Sequence, residues 1–464
     1  MAVLDPGVAR FVGEVPVVVV GAGGCGLSAA LAARQGGAEV LVLESDATPL
    51  GTTGMSTGLI PGAGSRFQRQ AGIDDSPAQF AADIMRKTKG HTDERIALAL
   101  AEASAGTVEW LVDAHDIPLS LVDTFLYPGH SAMRMHGTPN RSGAELMHAL
   151  LNAAERSGVD ILTAARVTDL FATDDKTVAG VRITRPDGSA EDLACRALIL
   201  ACCGFAGNAG MVAELMPEAV AAEFYGHPGN KGDAIDWGRA LGAGLADLGG
   251  FQGHAGLAKG YGVPILWPVI VEGGIQVNRD GLRFADESRG YSEQTLDVLA
   301  QPGHIAFTVY DQRLHELMQE FDDYRAAQAA GAIRRGETLA DLCAATGLPE
   351  AALAATLDAV ARAVAGAQPD TFARQFNSRQ PLTAPYYAVK VTGALFHTQG
   401  GLVVDTDGRV LTTDRQRFPN LYAGGGAARG ISGPSCWGYI AGNGLLTATS
   451  FGRLAGAAAA GLVA

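Results

Sequence analysis

Val15-Pro-Val-Val-Val-Val20 runs into Gly21-Ala-Gly-Gly-Cys-Gly26, and an Ala-rich apolar stretch leads from there to Glu39-Val-Leu-Val-Leu-Glu44. The order strand, glycine turn, helix, strand, acid is the βαβ dinucleotide fingerprint in its full context. Gly21 permits the tight turn. Gly23, with Gly24 beside it, lets a pyrophosphate approach the backbone at the helix N-terminus, and Gly26 lets the helix pack close to the strand. Glu44 ends the second strand, where an acid accepts hydrogen bonds from a ribose. The stretch predicts a bound ADP moiety. By itself it does not choose between dinucleotides and says nothing about a substrate.

At 464 residues the chain exceeds one ordinary core, so two or three domains are expected. A hydrophobic content of 47% with 61 glycines suits an α/β protein with many tight turns. The net charge of −14 argues against nucleic acid or an anionic membrane surface as partner. The six cysteines (Cys25, Cys195, Cys202, Cys203, Cys343, Cys436) have no CxxC spacing and read as buried thiols. No histidine pair has metal-ligand spacing, so no metal is predicted. The N-terminus lacks the pattern of a secretory signal, and the apolar tail Leu454–Ala464 is too short to span a bilayer, so a cytoplasmic protein without stable membrane insertion is expected.

After Glu44, Pro49-Leu-Gly-Thr-Thr-Gly-Met-Ser-Thr-Gly58 is a run of small residues and hydroxyls suited to lining a polar cofactor. Helices are predicted over Ser76–Lys89, Asp93–His115 and Gly143–Ser157, and a strand over Ile161–Val167. Ala197–Gly204 is a further strand ending in glycine, and Ala234–Leu241 a further helix. Between about Gly250 and Thr392 the phosphate-loop character disappears. Gly273–Phe284 predicts a hairpin turning at Asn278–Gly281, and Leu314–Val364 reads as mostly helical. The glycine-rich style resumes at His397. The expected architecture is α/β, a discontinuous Rossmann-like domain of residues 1–249 and 393–464 with an inserted α+β capping domain of residues 250–392.

Five stretches in order carry a family resemblance: Gly21–Gly26, Gly51–Gly58, Arg283-Phe-Ala-Asp-Glu-Ser288, His397-Thr-Gln-Gly-Gly401 and Leu421-Tyr-Ala-Gly-Gly-Gly426. The pattern resembles the fumarate reductase / 3-ketosteroid dehydrogenase flavoproteins over nearly the full chain. The resemblance implies FAD, a two-part FAD-binding domain and a capping domain. It places cofactor contacts at Gly21, Gly23, Gly24, Gly26, Glu44, Thr52, Thr53, Gly54, Ser56, Gly58, the backbone near Val167, Gly425, Gly426, Leu445 and Leu446.

The branch of the family decides the chemistry. Where fumarate reductases carry an acid and an arginine before the hairpin, this chain has Trp267 and Ile270. Their proton-donating arginine is replaced by Tyr291, and the arginine that grips a substrate carboxylate by Tyr439. The replacements resemble the ketosteroid 1-dehydrogenase / cyclic ketone dehydrogenase branch, with Tyr291 as base, Tyr439 as ketone-binding group and Tyr127 assisting the base. The implied reaction is FAD-dependent α,β-desaturation of a ketone, such as an oxocyclohexane carboxylate, a cyclohexanone or a 3-ketosteroid. A proton leaves the carbon next to the carbonyl and a hydride leaves the β carbon for the flavin. Tyr439 with an amide near Asn443 or Gly444 would polarise the carbonyl oxygen. A phenol has a pKa of about 10, so the base needs help from Tyr127, Arg289 or Arg134. His397, Arg134, Arg289 and Trp267 are the remaining substrate-contact candidates. Two alternatives stand beside this reading: an enoate reductase of the fumarate or urocanate type, in which Arg289 supplies the proton, and a non-catalytic flavin-binding protein. The partner of either reaction is a small ketone or enone, and the electron acceptor, whether oxygen, quinone or a carrier, stays open.

Overall fold

The computed structural model describes residues 1–378 and 380–464. The chain divides into two compact units: Met1–Met216 with Gly226–Phe251 and His397–Ala464, and Pro217–Tyr225 with Gln252–Phe396.

The first unit is built on a nine-stranded sheet whose centre is the valine run. Val17–Val20 pairs in parallel with Val40–Leu43 on one side and with Ala197–Leu200 on the other. Val17, Val18 and Val19 are fully buried. β-branched residues buried on both faces are what a central parallel strand requires. The last strand, Arg417–Ala423, joins the sheet beside Leu198–Leu200. Helix Gly24–Gln35 presents alanines and glycines to the C-terminal helix Asn443–Val463. A methyl group at Gly456 would lie 2.1 Å from the Ala29 carbonyl, and one at Gly452 2.4 Å from that of Cys25, so only glycine permits this approach.

The three early helices form close to their predicted bounds because each has a side-chain cap. Ser76 caps Pro77–Lys87, Asp93 caps Glu94–His115 and Ser142 caps Gly143–Arg156. The single strand expected over Ile161–Val167 is two strands. Asp160–Leu162 pairs with Leu41–Leu43, whereas Arg166–Ala172 pairs with Val178–Thr184. The chain breaks between them because Ala164 turns into the left-handed region (φ 49°), where the amides of Ala164 and Ala165 bond the Asp46 and Glu44 carbonyls.

The second unit holds a six-stranded sheet around Tyr386–Thr398, whose last two residues belong to the first unit. Ile305–Asp311 and Ile333–Gly336 both run antiparallel to it. Three expectations do not hold in this unit. Asn278–Gly281 does turn, with Gly281 N–H on the Asn278 carbonyl at 3.0 Å, but no hairpin follows. Ile275–Val277 pairs instead with Phe307–Val309, because past the turn Arg283 is drawn onto Glu287 and Asp370. The stretch read as mostly helical also contains the strand Ile333–Gly336, freed when Gly331 (φ 76°) ends the preceding helix. Pro217–Tyr225, read with the first domain, lies in the second unit because Glu223–Phe224 pairs with Ala394–Leu395. Among the described residues no helix is long and apolar enough to cross a membrane.

Candidate active site

In the first unit the glycine turn separates into two roles. A side chain at Gly26 would stand 1.8 Å from the Gly21 carbonyl, and one at Gly21 2.6 Å from the Ala201 carbonyl, so these glycines serve packing. At Gly23 a methyl group would meet nothing nearer than Thr53 Oγ1 at 3.9 Å, which leaves the backbone open to a ligand. The Gly51–Gly54 segment, within the run of small residues and hydroxyls, is a short helical turn. Thr53 Oγ1 accepts the Gly24 N–H at 3.1 Å, the Ser56 carbonyl accepts the Gly143 N–H, and Thr52 Oγ1 accepts from Asn230 at 3.0 Å. Glu44 is buried, with one carboxylate oxygen on the Ala22 N–H at 2.7 Å and the other on the Asp46 N–H. The oxygen bound by Asp46 also accepts from Ser45 Oγ at 3.1 Å, so the one on the Ala22 N–H retains lone-pair capacity for a ribose hydroxyl. The Ala165 amide ties the start of the Val167 strand to the Glu44 backbone at 2.8 Å.

The C-terminal helix begins at Asn443 without a side-chain cap. Among the described residues the N–H groups of Gly444 and Leu445 have no acceptor, while the Leu446 N–H bonds the Gly442 carbonyl at 2.9 Å. The Leu446 side chain is in the core, so of the two leucines predicted to touch cofactor only Leu445 presents a free group. Asn443 is fully buried and its Oδ1 is unpaired. A buried acceptor and open first-turn donors leave polar capacity that a bound group must satisfy. With the bare Gly23 backbone and Glu44, these residues fit FAD: the glycine turn would hold its pyrophosphate, Glu44 its ribose and the last helix a polar ring edge. Gly425 and Gly426 are close-packed: an added methyl group would lie 3.2 Å from Cys25 Cβ at the first and 2.8 Å from the Gly204 nitrogen at the second.

Next to this helix start, His397 and Tyr439 meet edge to face, with ring centroids 5.8 Å apart. His397 Nδ1 lies 3.1 Å from Gln399 Nε2, which can only donate, and 3.3 Å from the Thr398 carbonyl, which can only accept; with the nearer amide as its partner, Nδ1 accepts and the proton sits on Nε2. Ser432 fixes the Gln399 amide by donating to its Oε1 at 2.8 Å, and itself accepts from Asn443 Nδ2. Burial pushes His397 down to about 4, so the ring is neutral. Its Nε2 lies 2.8 Å from where a Gly444 side chain would begin. His397 Nε2–H and the Gly444 N–H are neutral donors, with the Tyr439 ring beside the imidazole. Gln399, Ser432 and Asn230 escaped the sequence reading. Only the His397-Thr-Gln399 spacing hinted at the first.

In the second unit Tyr291 belongs to an aromatic cluster. It stacks on His254 at 5.2 Å and meets Trp267 edge to face at 6.2 Å, and Phe396 stacks on the other side of His254 at 5.0 Å. Burial holds His254 at about 3. The buried Trp267 Nε1 has no partner. The Tyr291 backbone is clamped, its carbonyl accepting from the Ala255 N–H and from Thr295 Oγ1. The chain reaches Tyr291 from Glu287, a fully buried carboxylate that accepts from Arg283, Arg374 and the Gln276 N–H. Removing one member of a buried charge network strands the others, so Glu287→Ala is expected to cost about 3–5 kcal/mol. A urea unfolding curve with an unchanged midpoint would contradict this.

Two predicted substrate arginines are otherwise engaged. Arg134 is fully buried, with both faces of its guanidinium on Asp75 and Asp83, and is not a substrate contact. Arg289 ion-pairs with Asp297 on an exposed face. Tyr127 packs on Phe125 at 4.3 Å, and burial pushes its phenol well above the usual value, which suits a neutral donor and not a phenolate. No group of three or more His, Cys, Asp or Glu side chains suited to a metal occurs among the described residues.

A family described as an FAD binding domain matches residues 16–445. NADH:fumarate oxidoreductase of Klebsiella pneumoniae (strain 342) is 30% identical over 447 residues, covering 96% of this chain and 47% of that protein, so the chain spans about half the length of that relative. The open conformation of a flavocytochrome c3 fumarate reductase superposes with a TM-score of 0.81 at 28% identity, covering 98% of this chain and 79% of the other. The 3-ketosteroid-Δ4-(5α)-dehydrogenase of Rhodococcus jostii RHA1 superposes with a TM-score of 0.78 at 25% identity, covering 99% of this chain and 100% of the other.

Proposed function

The chain belongs to the FAD-binding domain family matched over residues 16–445, and from that premise we propose that it is an FAD-dependent oxidoreductase that desaturates a small cyclic ketone between its α and β carbons. The observation that carries the reading is the neutrality of the donor set. His397, Gly444 and Tyr439 offer N–H and O–H groups, while Arg134 and Arg289 are paired with carboxylates. Neutral donors suit a ketone oxygen, whereas a dicarboxylate calls for cations.

Bound FAD supplies the hydride acceptor. The protein's own part is to make the α proton acidic and to remove it. Tyr439, His397 Nε2–H and the Gly444 N–H polarise the carbonyl oxygen as negative charge builds on it. Tyr291, ionised to its phenolate, takes the α proton and becomes the neutral phenol, with its ring held by His254 and Trp267 and its backbone by Ala255 and Thr295. Tyr127, with its pKa raised by burial, remains protonated and able to donate a hydrogen bond. The aromatic cluster of His254, Trp267 and Phe396 favours a flat, apolar ring over an acyclic diacid.

The test is anaerobic mixing of the holoenzyme with a panel of cyclohexanones, oxocyclohexane carboxylates and 3-ketosteroids. Bleaching of the flavin by a ketone is expected, as is failure of fumarate to reoxidise the dithionite-reduced enzyme. Rapid reoxidation by fumarate or urocanate, with every ketone silent, would replace this reading with a second one. That reading is reduction of an activated C=C bond, favoured by the activity named for the Klebsiella relative. A flavin that responds to no ketone or enone would point to a binding protein.

A further inference from the structure

We propose that Arg134 and His130 are positioning residues that hold the Tyr439–Leu445 segment in its working shape. Arg134 fixes the tautomer of His130, and His130 captures the Ala441 carbonyl, leaving the first-turn N–H groups of the C-terminal helix open to a ligand. This rests on the role given above to Tyr439 and Gly444 and adds the device that orients them.

The network begins far from the helix. Arg134 donates to Asp75 through Nε and Nη2, each at 2.8 Å, and to Asp83 through Nη1 at 2.7 Å. The same Nη1 lies 3.0 Å from His130 Nδ1. A guanidinium has only donors, so Nδ1 must accept and the ring proton is forced onto Nε2. Nε2 lies 3.0 Å from the Ala441 carbonyl, to which it donates. Burial and the nearby Arg134 charge hold His130 down at about 3, so the ring stays neutral across the working range.

In an uninterrupted helix the Ala441 carbonyl would accept the Leu445 N–H four residues on. Here it accepts His130, and the Leu445 N–H has no acceptor among the described residues. The turn is closed from its other sides. Gly129 leaves room for Ile440, whose nearest atom would lie 3.1 Å from an added methyl group, and Gly442 (φ 80°) sits against Pro61 and Met135. Phe80 completes the enclosure, with the Arg134 guanidinium 4.5 Å over its ring and His130 stacked at 5.7 Å. Among the described residues this buried charged network reaches the Tyr439–Leu445 segment through the hydrogen bond from His130 to the Ala441 carbonyl.

The experiment compares His130→Phe, His130→Gln and Tyr439→Phe holoenzymes. His130→Phe keeps the ring stack and leaves Arg134 on Asp75 and Asp83, but removes the donor to Ala441. His130→Gln restores a side-chain acceptor for Arg134 and a donor for the carbonyl. A misplacement near 1 Å costs about 10²-fold in rate. His130→Phe is therefore expected to lower kcat by that order with little change in KM, and to shift the visible flavin spectrum. His130→Gln should recover most of both. If His130→Phe lowers only the melting temperature, leaving kcat and the spectrum unchanged, the positioning role is overturned. If no ketone is turned over by the native holoenzyme while His130→Phe still shifts the spectrum, the ketone reading falls and the positioning role stands; normal ketone turnover by Tyr439→Phe would remove only the role given to Tyr439.

Discussion

Tyr291→Phe is expected to abolish ketone desaturation while leaving a yellow, folded holoenzyme. The substitution removes one oxygen and keeps the ring that stacks on His254 and meets Trp267. Binding of a flat apolar ketone should therefore change little, and KM should stay within a few-fold. A positioned general base contributes about 10²–10⁴ in rate, so kcat should fall to the middle of that range or below. A second readout isolates the proton step. In D₂O the native protein should wash deuterium into the α carbon of a ketone that it cannot fully desaturate, and Tyr291→Phe should not. Loss of activity in Arg289→Lys, with Tyr291→Phe unimpaired, would transfer the proton to the arginine.

Acidification is the second large effect. His130, His136 and His254 are buried and His397 is half-buried, and all four are neutral, desolvation holding them at about 3, 4, 3 and 4. In the unfolded chain each returns to its usual value near 6.5. The folded values are depressed, so their stabilising contribution is complete above the unfolded value and is lost as pH falls toward the folded ones. Between those limits the unfolded state binds more protons, and stability rises with pH. Three of the four histidines lie in the first unit and one in the second. Each proton is worth about 1.4 kcal/mol per pH unit, so the first unit should lose about 4 kcal/mol per unit once pH is well below 6.5. Calorimetric scans from pH 7.5 to 4.5 should show a steep fall in melting temperature starting near pH 6, with the unit rich in buried histidine melting first. A flat profile down to pH 5 would mean that these rings are solvated or protonated in the folded state.

What the sequence disclosed and what it hid follow from the distance over which each feature is determined. The glycine turn was readable because Gly21, Gly23 and Gly26 act on atoms within a few residues or on the adjoining strand. The capped helices were readable for the same reason. The hairpin was not, because the strand that pairs with Ile275–Val277 comes after a detour forced by Arg283 and Glu287. Arg134 suggested a ligand contact because it is a cation that could assist the base or meet the substrate. Its true partners, Asp83 and Asp75, stand 51 and 59 residues away. Tyr291 and Tyr439 were visible by resemblance, but their settings were not. His254 and Phe396, the rings around Tyr291, are remote in the chain, and Gln399 sets the His397 tautomer through a contact that no periodicity announces.

The first unit is sewn from both ends of the chain, and this imposes an order on biosynthesis. Val17–Val20 has one neighbour nearby in sequence, but the sheet reaches full width only when Leu421–Ala423 settles beside Leu198–Leu200. The helix after the glycine turn gains its glycine-faced partner only with Asn443–Val463. On the ribosome, Gln252–Phe396 can close its sheet while the last strand and helix are still unmade. Until then the valine strand has an unpaired neighbour, the kind of edge on which chains aggregate. Nascent protein stalled before residue 443 should be a substrate for chaperones and unable to retain flavin, however complete its glycine turn.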